Sequence, residues 1–198
     1  MDVLATDGEL TLRGMTEDDY GVMARWLSDP RVLAWFGGRD RPMSRIDIAE
    51  KYAPRLAGKV PTHCLIAETT DGPVGYLQFY RWKDYPADAS VLGLSTMDDP
   101  YGLDLFVGRP ELWGTGVGSR MVRLLLAHLF DTVGVRRVAL SAMAHNYRAQ
   151  RAYAKVGFRR VRLVPDAELH EGVVRDEWLM IADRNSFEQA TTPTEATG

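Results

Sequence analysis

One cysteine, Cys64, stands among the 198 residues, so no internal disulfide can form and stability has to come from packing. Its neighbours Thr62 to Glu68 read as a strand, which makes Cys64 a buried, inert thiol. No stretch nears the roughly 18 apolar residues of a membrane-spanning helix. The N-terminus, Met1 to Asp7, lacks the basic region and apolar core of a signal peptide. A membrane partner is therefore not expected, and the cytoplasm is the expected location. An excess of one charge is missing too. Twenty-four Lys and Arg against 27 Asp and Glu give a net charge of −3, which argues against a nucleic-acid partner. The four histidines, His63, His128, His145 and His170, show no metal-ligand spacing, so no metal is expected.

What is present describes a globular protein. Hydrophobic residues make up 45% of a chain long enough to bury a real core. The reading is one domain over residues 1–184. Residues 185–198, rich in Thr, Ala and Glu and without periodicity, read as a disordered tail. Leu10 to Arg13 reads as a strand, followed by a helix capped by Thr16 and running to about Leu27. Residues 31–43 read as irregular. Ser44 caps a second helix with Ile46, Ala49, Tyr52 and Ala53 on one face, which Pro54 should kink or end. Cys64 to Thr69 and Val74 to Trp82 read as two strands around a turn, and residues 83–101 as a long polar loop. Arg136 to Ser141 reads as a strand. Asn146 opens a helix closed by Gly157, and Phe158 to Val164 with Val173 to Ile181 form a last antiparallel pair. The order predicts a mixed α/β fold around one largely antiparallel sheet.

The most informative stretch is residues 103–120. Leu103 to Val107 is an apolar strand interrupted by Asp104. Gly114, Gly116 and Gly118 follow at alternate positions, and an amphipathic helix covers Ser119 to Phe130. Strand, glycine turn and helix start together aim free backbone N–H groups at an anion. Spacing excludes two common glycine motifs. A dinucleotide fingerprint from Gly114 would need glycine where Ser119 stands, and no Gly-Lys-Ser/Thr run of a P-loop exists.

The run Glu111-Leu-Trp113-Gly114-Thr115-Gly116-Val117-Gly118-Ser119-Arg120 resembles the acetyl-coenzyme A pyrophosphate loop of the GCN5-related N-acetyltransferases. A second match lies about 30 residues on, with Asn146, Ala149, Tyr153, Gly157 and Phe158 at that family's spacing. The resemblance covers roughly residues 9–183. It implies a twisted, mostly antiparallel sheet flanked by helices, with a splayed strand pair that holds acetyl-coenzyme A. Within the family the chain is most similar to the aminoglycoside 6′-N-acetyltransferases, through Trp35-Phe36-Gly37-Gly38, Glu50-Lys51-Tyr52, Gly75 to Tyr80 and Gly102-Leu103-Asp104. Two positions depart from the pattern. Glu111 stands where the family often has Gln or Arg, and Ser141, Ala142 and Met143 carry no acid where similar enzymes have one.

The resemblance implies roles for particular residues. Asp104 binds or deprotonates the acceptor amine, and Tyr153 protonates the leaving thiolate. Phe106 and Val107 pair with the pantetheine arm through backbone, and Asn146 and Ala149 contact the same arm. Trp113, Gly114, Thr115, Gly116, Val117, Gly118 and Ser119 form the pyrophosphate loop. For the acceptor, Trp35, Phe36, Tyr52, Gln78, Tyr80, Asp98 and Asp99 are the candidates, aromatics to stack on sugar rings and acids to pair with ammonium groups. The acids Asp84, Asp88, Asp98 and Asp99 also suit a cationic partner. The expected activity is acetylation of a cationic small molecule, foremost the aminoglycoside 6′-amine, by a monomer or homodimer. The alternatives are a siderophore-type hydroxylamine or lysine derivative, a protein amine, or a non-catalytic coenzyme A sensor.

Overall fold

The computed structural model describes residues 2–94 and 98–192. Eight strands form one sheet: β1 (Val3–Thr6), β2 (Thr11–Gly14), β3 (Thr62–Thr69), β4 (Gly72–Arg81), β5 (Tyr101–Val107), β6 (Arg137–Met143), β7 (Arg159–His170) and β8 (Val173–Asp183). Their order is β1-β2-β3-β4-β5-β6-β8-β7, and every neighbouring pair is antiparallel except β5 with β6. That parallel contact holds only at Tyr101↔Val138 and Gly102↔Ala139. Beyond Gly102 the two strands part, while β5 stays paired with β4 through Val107. A wedge therefore opens in the middle of the sheet.

Helices cover both faces: α1 (Tyr20–Trp26), α2 (Pro30–Leu33), α3 (Arg45–Leu56), α4 (Pro86–Val91), α5 (Val117–Ala127), α6 (Tyr147–Ala154) and α7 (Arg184–Thr191). Alternation along the strands sorts the core into layers. Leu65, Leu77 and Leu103 pack with Met121, Leu125 and Leu129 from α5 and the π-helical segment His128–Val133 that continues it. Cys64, Ile66, Tyr76 and Phe106 point the other way, onto Met23, Trp26, Ile48 and Tyr52 from α1 and α3. Further along that second face, Tyr80, Ala139, Val164 and Leu179 pack with Ala89 and Leu92 around α4.

Several local expectations give way. Residues 184–191 are a helix rather than a tail. Asp183 and Ser186 cap it reciprocally, and Phe187 is buried against Phe130, so tertiary burial stabilises a segment without strong periodicity. Residues 193–198 lie outside the described residues. α3 runs two residues past Pro54, because a proline in the last turn forfeits only one bond. Its buried residues are Ile48 and Tyr52, and Ile46 is exposed. The polar loop after β4 contains α4 and buries Ala89, Leu92 and Leu94. The last two strands extend to a two-residue turn, Glu171–Gly172, with positive φ at both positions, the geometry that matches strand twist in a hairpin. β1 gave no sequence signal, being four residues long at an edge.

Candidate functional site

The wedge between β5 and β6 is continuous with a cleft of about 900 Å³. One half is made by the glycine turn. Gly114 and Gly116 have φ of 84° and 98°, and an added Cβ at either would meet nothing within 4 Å. Glycine is required there for backbone conformation rather than for space inside the fold. Gly118 differs: its φ is ordinary, and a Cβ would touch Val107 Cγ2 at 3.6 Å. No side chain caps α5 at Gly116, so its first-turn N–H groups are left for a ligand. Ser119 Oγ donates to the Ala152 carbonyl at 3.2 Å, tying α5 to α6. Arg148 on α6 stacks over Trp113 with 4.1 Å to the ring centroid, and Arg151 and Lys155 line the same half. This half combines free N–H groups with cations, which suits a phosphorylated ligand.

The other half surrounds Asp104. Leu103 is buried under α5, so period-2 alternation puts Asp104 on the opposite face, beside Phe106 and directly across from Gln78 on β4. Gln78 Oε1 accepts from Arg55 Nη1 at 2.5 Å and from the Tyr76 hydroxyl at 2.8 Å. Two donors on that oxygen fix the amide orientation, and Nε2 therefore donates to Asp104 Oδ2, at 2.7 Å. Tyr80, on the same face two residues further along β4, stands near the carboxyl and helps to hold it charged. Burial pushes the Asp104 carboxyl above its ordinary range, while Gln78, Tyr80, Arg55 and Lys51 pull it back. The result is a carboxylate held in one orientation, facing the opening.

Across the wedge stands Tyr153 on α6. Burial and the nearby Asp104 and Glu177 charges keep its hydroxyl protonated, so it remains a donor. Glu177 on β8 and Glu168 on β7 line the cleft together with Asp88 on α4. Burial first, then Glu168 and Asp104, push the Glu177 carboxyl up to about 7. Glu168 is raised as well, first by burial.

A family model described as an acetyltransferase (GNAT) domain matches residues 15–165. The chain belongs to the GNAT acetyltransferases. It is 28% identical over 165 residues, 80% of this chain and 78% of the relative, to aminoglycoside N(6′)-acetyltransferase type 1 from Klebsiella pneumoniae, with the same figures for the Serratia marcescens protein. Among solved structures, AAC(6′)-Ib in complex with ribostamycin and coenzyme A matches with a TM-score of 0.75 and 26% identity, covering 94% of this chain and 99% of that one. A spermidine N-acetyltransferase from Vibrio cholerae, solved with coenzyme A and spermine, shares the fold with a TM-score of 0.73 at 14% identity, over 91% of this chain and 99% of that one.

In this GNAT domain, Phe106, Val107, Trp113, Gly114, Gly116, Gly118, Ser119, Asn146, Ala149 and Tyr153 all line the cleft. Asn146 also caps α6, its Oδ1 accepting from Ala149 N at 3.1 Å, and Trp113 Nε1 donates to the Val107 carbonyl at 2.9 Å. Thr115 and Val117 are not in the wall. The Thr115 hydroxyl bonds the Leu112 carbonyl, and Val117 packs on the core. On the acceptor side Trp35, Phe36, Gln78, Tyr80 and Asp104 line the cleft. Tyr52 does not: it is 1% exposed and packs edge-on against Tyr76, because the apolar side of α3 that carries it faces the core rather than the cleft. Asp98 and Asp99 are also elsewhere. Asp99 is paired with Arg81 and Lys83, and Asp98 lies 3.4 Å from Arg136. Glu111 bonds Arg109 on the surface. Glu168, Glu177, Lys51 and Arg55 were missed. No local motif marks them, because sheet pairing and helix packing alone carry them to the cleft.

Proposed function

We propose that the protein transfers the acetyl group of acetyl-coenzyme A to a primary amine of a cationic small molecule, with the 6′-amine of an aminoglycoside antibiotic as acceptor. The uncapped start of α5 and the cations of α6 fit the pyrophosphate of coenzyme A, and the unpaired edge of β5 past Gly102 fits its pantetheine arm. When bound, acetyl-coenzyme A supplies the activated acyl group as a thioester. Asp104, fixed by Gln78, orients the acceptor ammonium and takes up one of its protons, so that the freed lone pair can form the N–C bond. Tyr153 donates its hydroxyl proton to the sulfur as the C–S bond breaks, and the nitrogen, which now carries one proton too many for an amide, returns that proton to the tyrosinate.

The observation that carries the acceptor class is the set of acids in the cleft, Asp88, Asp104, Glu168 and Glu177. Aromatic walls from Trp35 and Tyr80 suit sugar-ring faces, and the similarity to the Klebsiella pneumoniae enzyme supports the same acceptor. Acetylation of aminoglycosides would confer antibiotic resistance. A second reading has one observation in its favour: Lys51 and Arg55 also line the cleft beneath Asp104, which suits an acceptor that carries an anionic group, such as a lysine-derived hydroxylamine. Thiol release from acetyl-coenzyme A, measured in parallel with kanamycin, a lysine peptide and N6-hydroxylysine, separates the two. Turnover with kanamycin above the others is expected. Turnover confined to hydroxylysine would overturn the aminoglycoside reading.

A further inference from the structure

Cys64, Gln78 and Asp104 form one row across the sheet, since Gln78 pairs with Cys64 on β3 and with Asp104 on β5. Directly paired residues share a face, and Cys64 places this row on the face that α3 covers. From the last turn of α3, Arg55 reaches into the row. Its guanidinium stands 5.4 Å over the ring of Tyr52, and that buried ring is itself fixed edge-on against Tyr76. A planar cation stacked in this way directs its N–H groups sideways, and Nη1 meets Gln78 Oε1 at 2.5 Å. Tyr52, which does not line the cleft, is thus the platform for a cation that does.

An amide has a donor end and an acceptor end, and Arg55 dictates which end Asp104 meets. With Gln78 turned over, its NH2 group would face Arg55 and its Oε1 would face the Asp104 carboxylate, donor on donor and acceptor on acceptor. Tyr76 does not choose between the two orientations. Its hydroxyl lies 2.8 Å from Gln78 Oε1 and 3.2 Å from Cys64 Sγ, so it can donate to the sulfur while accepting from an amide. Arginine has no acceptor and keeps its charge, so it excludes the turned-over amide by itself. Nε2 is left to donate to Asp104 Oδ2 at 2.7 Å. Gln78 is also a spacer: among the described residues no ion pair joins Arg55 to Asp104, so the carboxylate gains an oriented donor without a counter-ion in the acceptor's place. The other groups facing Asp104 do not act through the amide. Lys51 on α3 pulls the carboxyl down, Glu168 on β7 and Glu177 on β8 are like charges, and Tyr52, Tyr80 and Tyr153 stay protonated.

We propose that Arg55 is a positioning residue of the transfer reaction: acting through Gln78, it locks the amide that orients and stabilises the Asp104 carboxylate. This rests on the reading above in which Asp104 takes up the acceptor's proton. Without Arg55 the amide is free to offer Oε1 to the carboxyl. That arrangement favours the protonated acid, and a protonated Asp104 takes up no proton.

The test follows the Asp104 carboxyl carbon by NMR titration of the full chain, with Asp104→Asn to assign the signal, beside pH profiles of kcat/KM with kanamycin. Arg55→Met should move the carboxyl titration and the acidic limb of the profile to higher pH together. Its kcat/KM should fall about tenfold at neutral pH and less in alkaline solution, with KM for acetyl-coenzyme A unchanged. Arg55→Lys, a donor-only side chain of shorter reach, should titrate between Arg55→Met and wild type. In Gln78→Leu, adding Arg55→Met should bring no further shift, because the amide through which it acts is gone. A carboxyl titration that stays in place in Arg55→Met would overturn the proposal, and so would an equal shift with and without Gln78. Titrations that move as stated in a protein that acetylates no amine would overturn the function proposed above and leave the coupling of Arg55 to Asp104 standing.

Discussion

Around Gly114 to Ser119 the cleft is walled by backbone, whereas around Asp104 it is walled by side chains from α3, α4, β4 and β8. A backbone wall needs consecutive residues, because the N–H groups of one helix start come from one short run of chain. A side-chain wall needs only that different elements meet. The donor half is therefore compact in sequence and the acceptor half is scattered. The two halves should also fail differently when mutated: the first through coenzyme A affinity, the second through turnover and acceptor choice.

The sharpest break between them is Asp104→Asn. Gln78 still holds the side chain, but proton uptake is lost, so kcat should fall about 10²- to 10³-fold while coenzyme A affinity measured by calorimetry stays close to wild type. Equal loss of both would make Asp104 structural. Next in size is Tyr153→Phe, expected to cut kcat about 10- to 100-fold with little change in KM for kanamycin, since only the proton donor to sulfur is removed. The donor half is dissected by its glycines. Gly116→Ala must hold a left-handed φ of 98°, so it should cost about 1–2 kcal/mol of stability as well as affinity. Gly118→Ala has an ordinary φ and only an ordinary contact to Val107, so it should melt like wild type yet bind coenzyme A about tenfold more weakly. A matching loss of stability in Gly118→Ala would place its role in the fold rather than in the ligand's approach.

The smallest effect comes from Glu177. Its carboxyl lies near 7 in the folded protein against 4.5 for an ordinary glutamate. Between those values the folded state keeps a proton that the unfolded chain has released, so stability falls as pH rises through the window and the penalty is complete above 7. Glu177→Gln removes that penalty. At pH 8 its melting temperature should exceed wild type by about 2–4 °C, corresponding to about 1 kcal/mol after solvent screening, and the gap should close toward pH 4.5. A gap that persists at pH 4.5 would mean packing rather than charge.

Much of this could be read from the chain. Alternation placed Leu103 and Asp104 on opposite faces, the glycine run marked the start of α5, and Asn146 marked the start of α6. Three kinds of error recur elsewhere. Tyr52 sits on the apolar side of α3, and that side packs into the core against Tyr76 instead of lining the cleft. Asp98 and Asp99 looked like site acids because they are close together, but Arg81, Lys83 and Arg136 from other segments neutralise them. Residues 184–191 lack a strong pattern, yet Asp183 caps them and Phe130 receives Phe187.

By itself the sequence determined the central strands, the glycine turn with the helix it opens, and the place of Asp104 on the strand before it, since each rests on neighbours along the chain and on the fixed periods of strand and helix. Only the tertiary structure decided which acids share the cleft. Glu168 and Glu177 meet Asp104 there because a bulge in β7, the pairing of β8 with β6 and the parting of β5 from β6 combine at one place. A carboxylate's partners are set by distance through space, and no spacing along the chain encodes that.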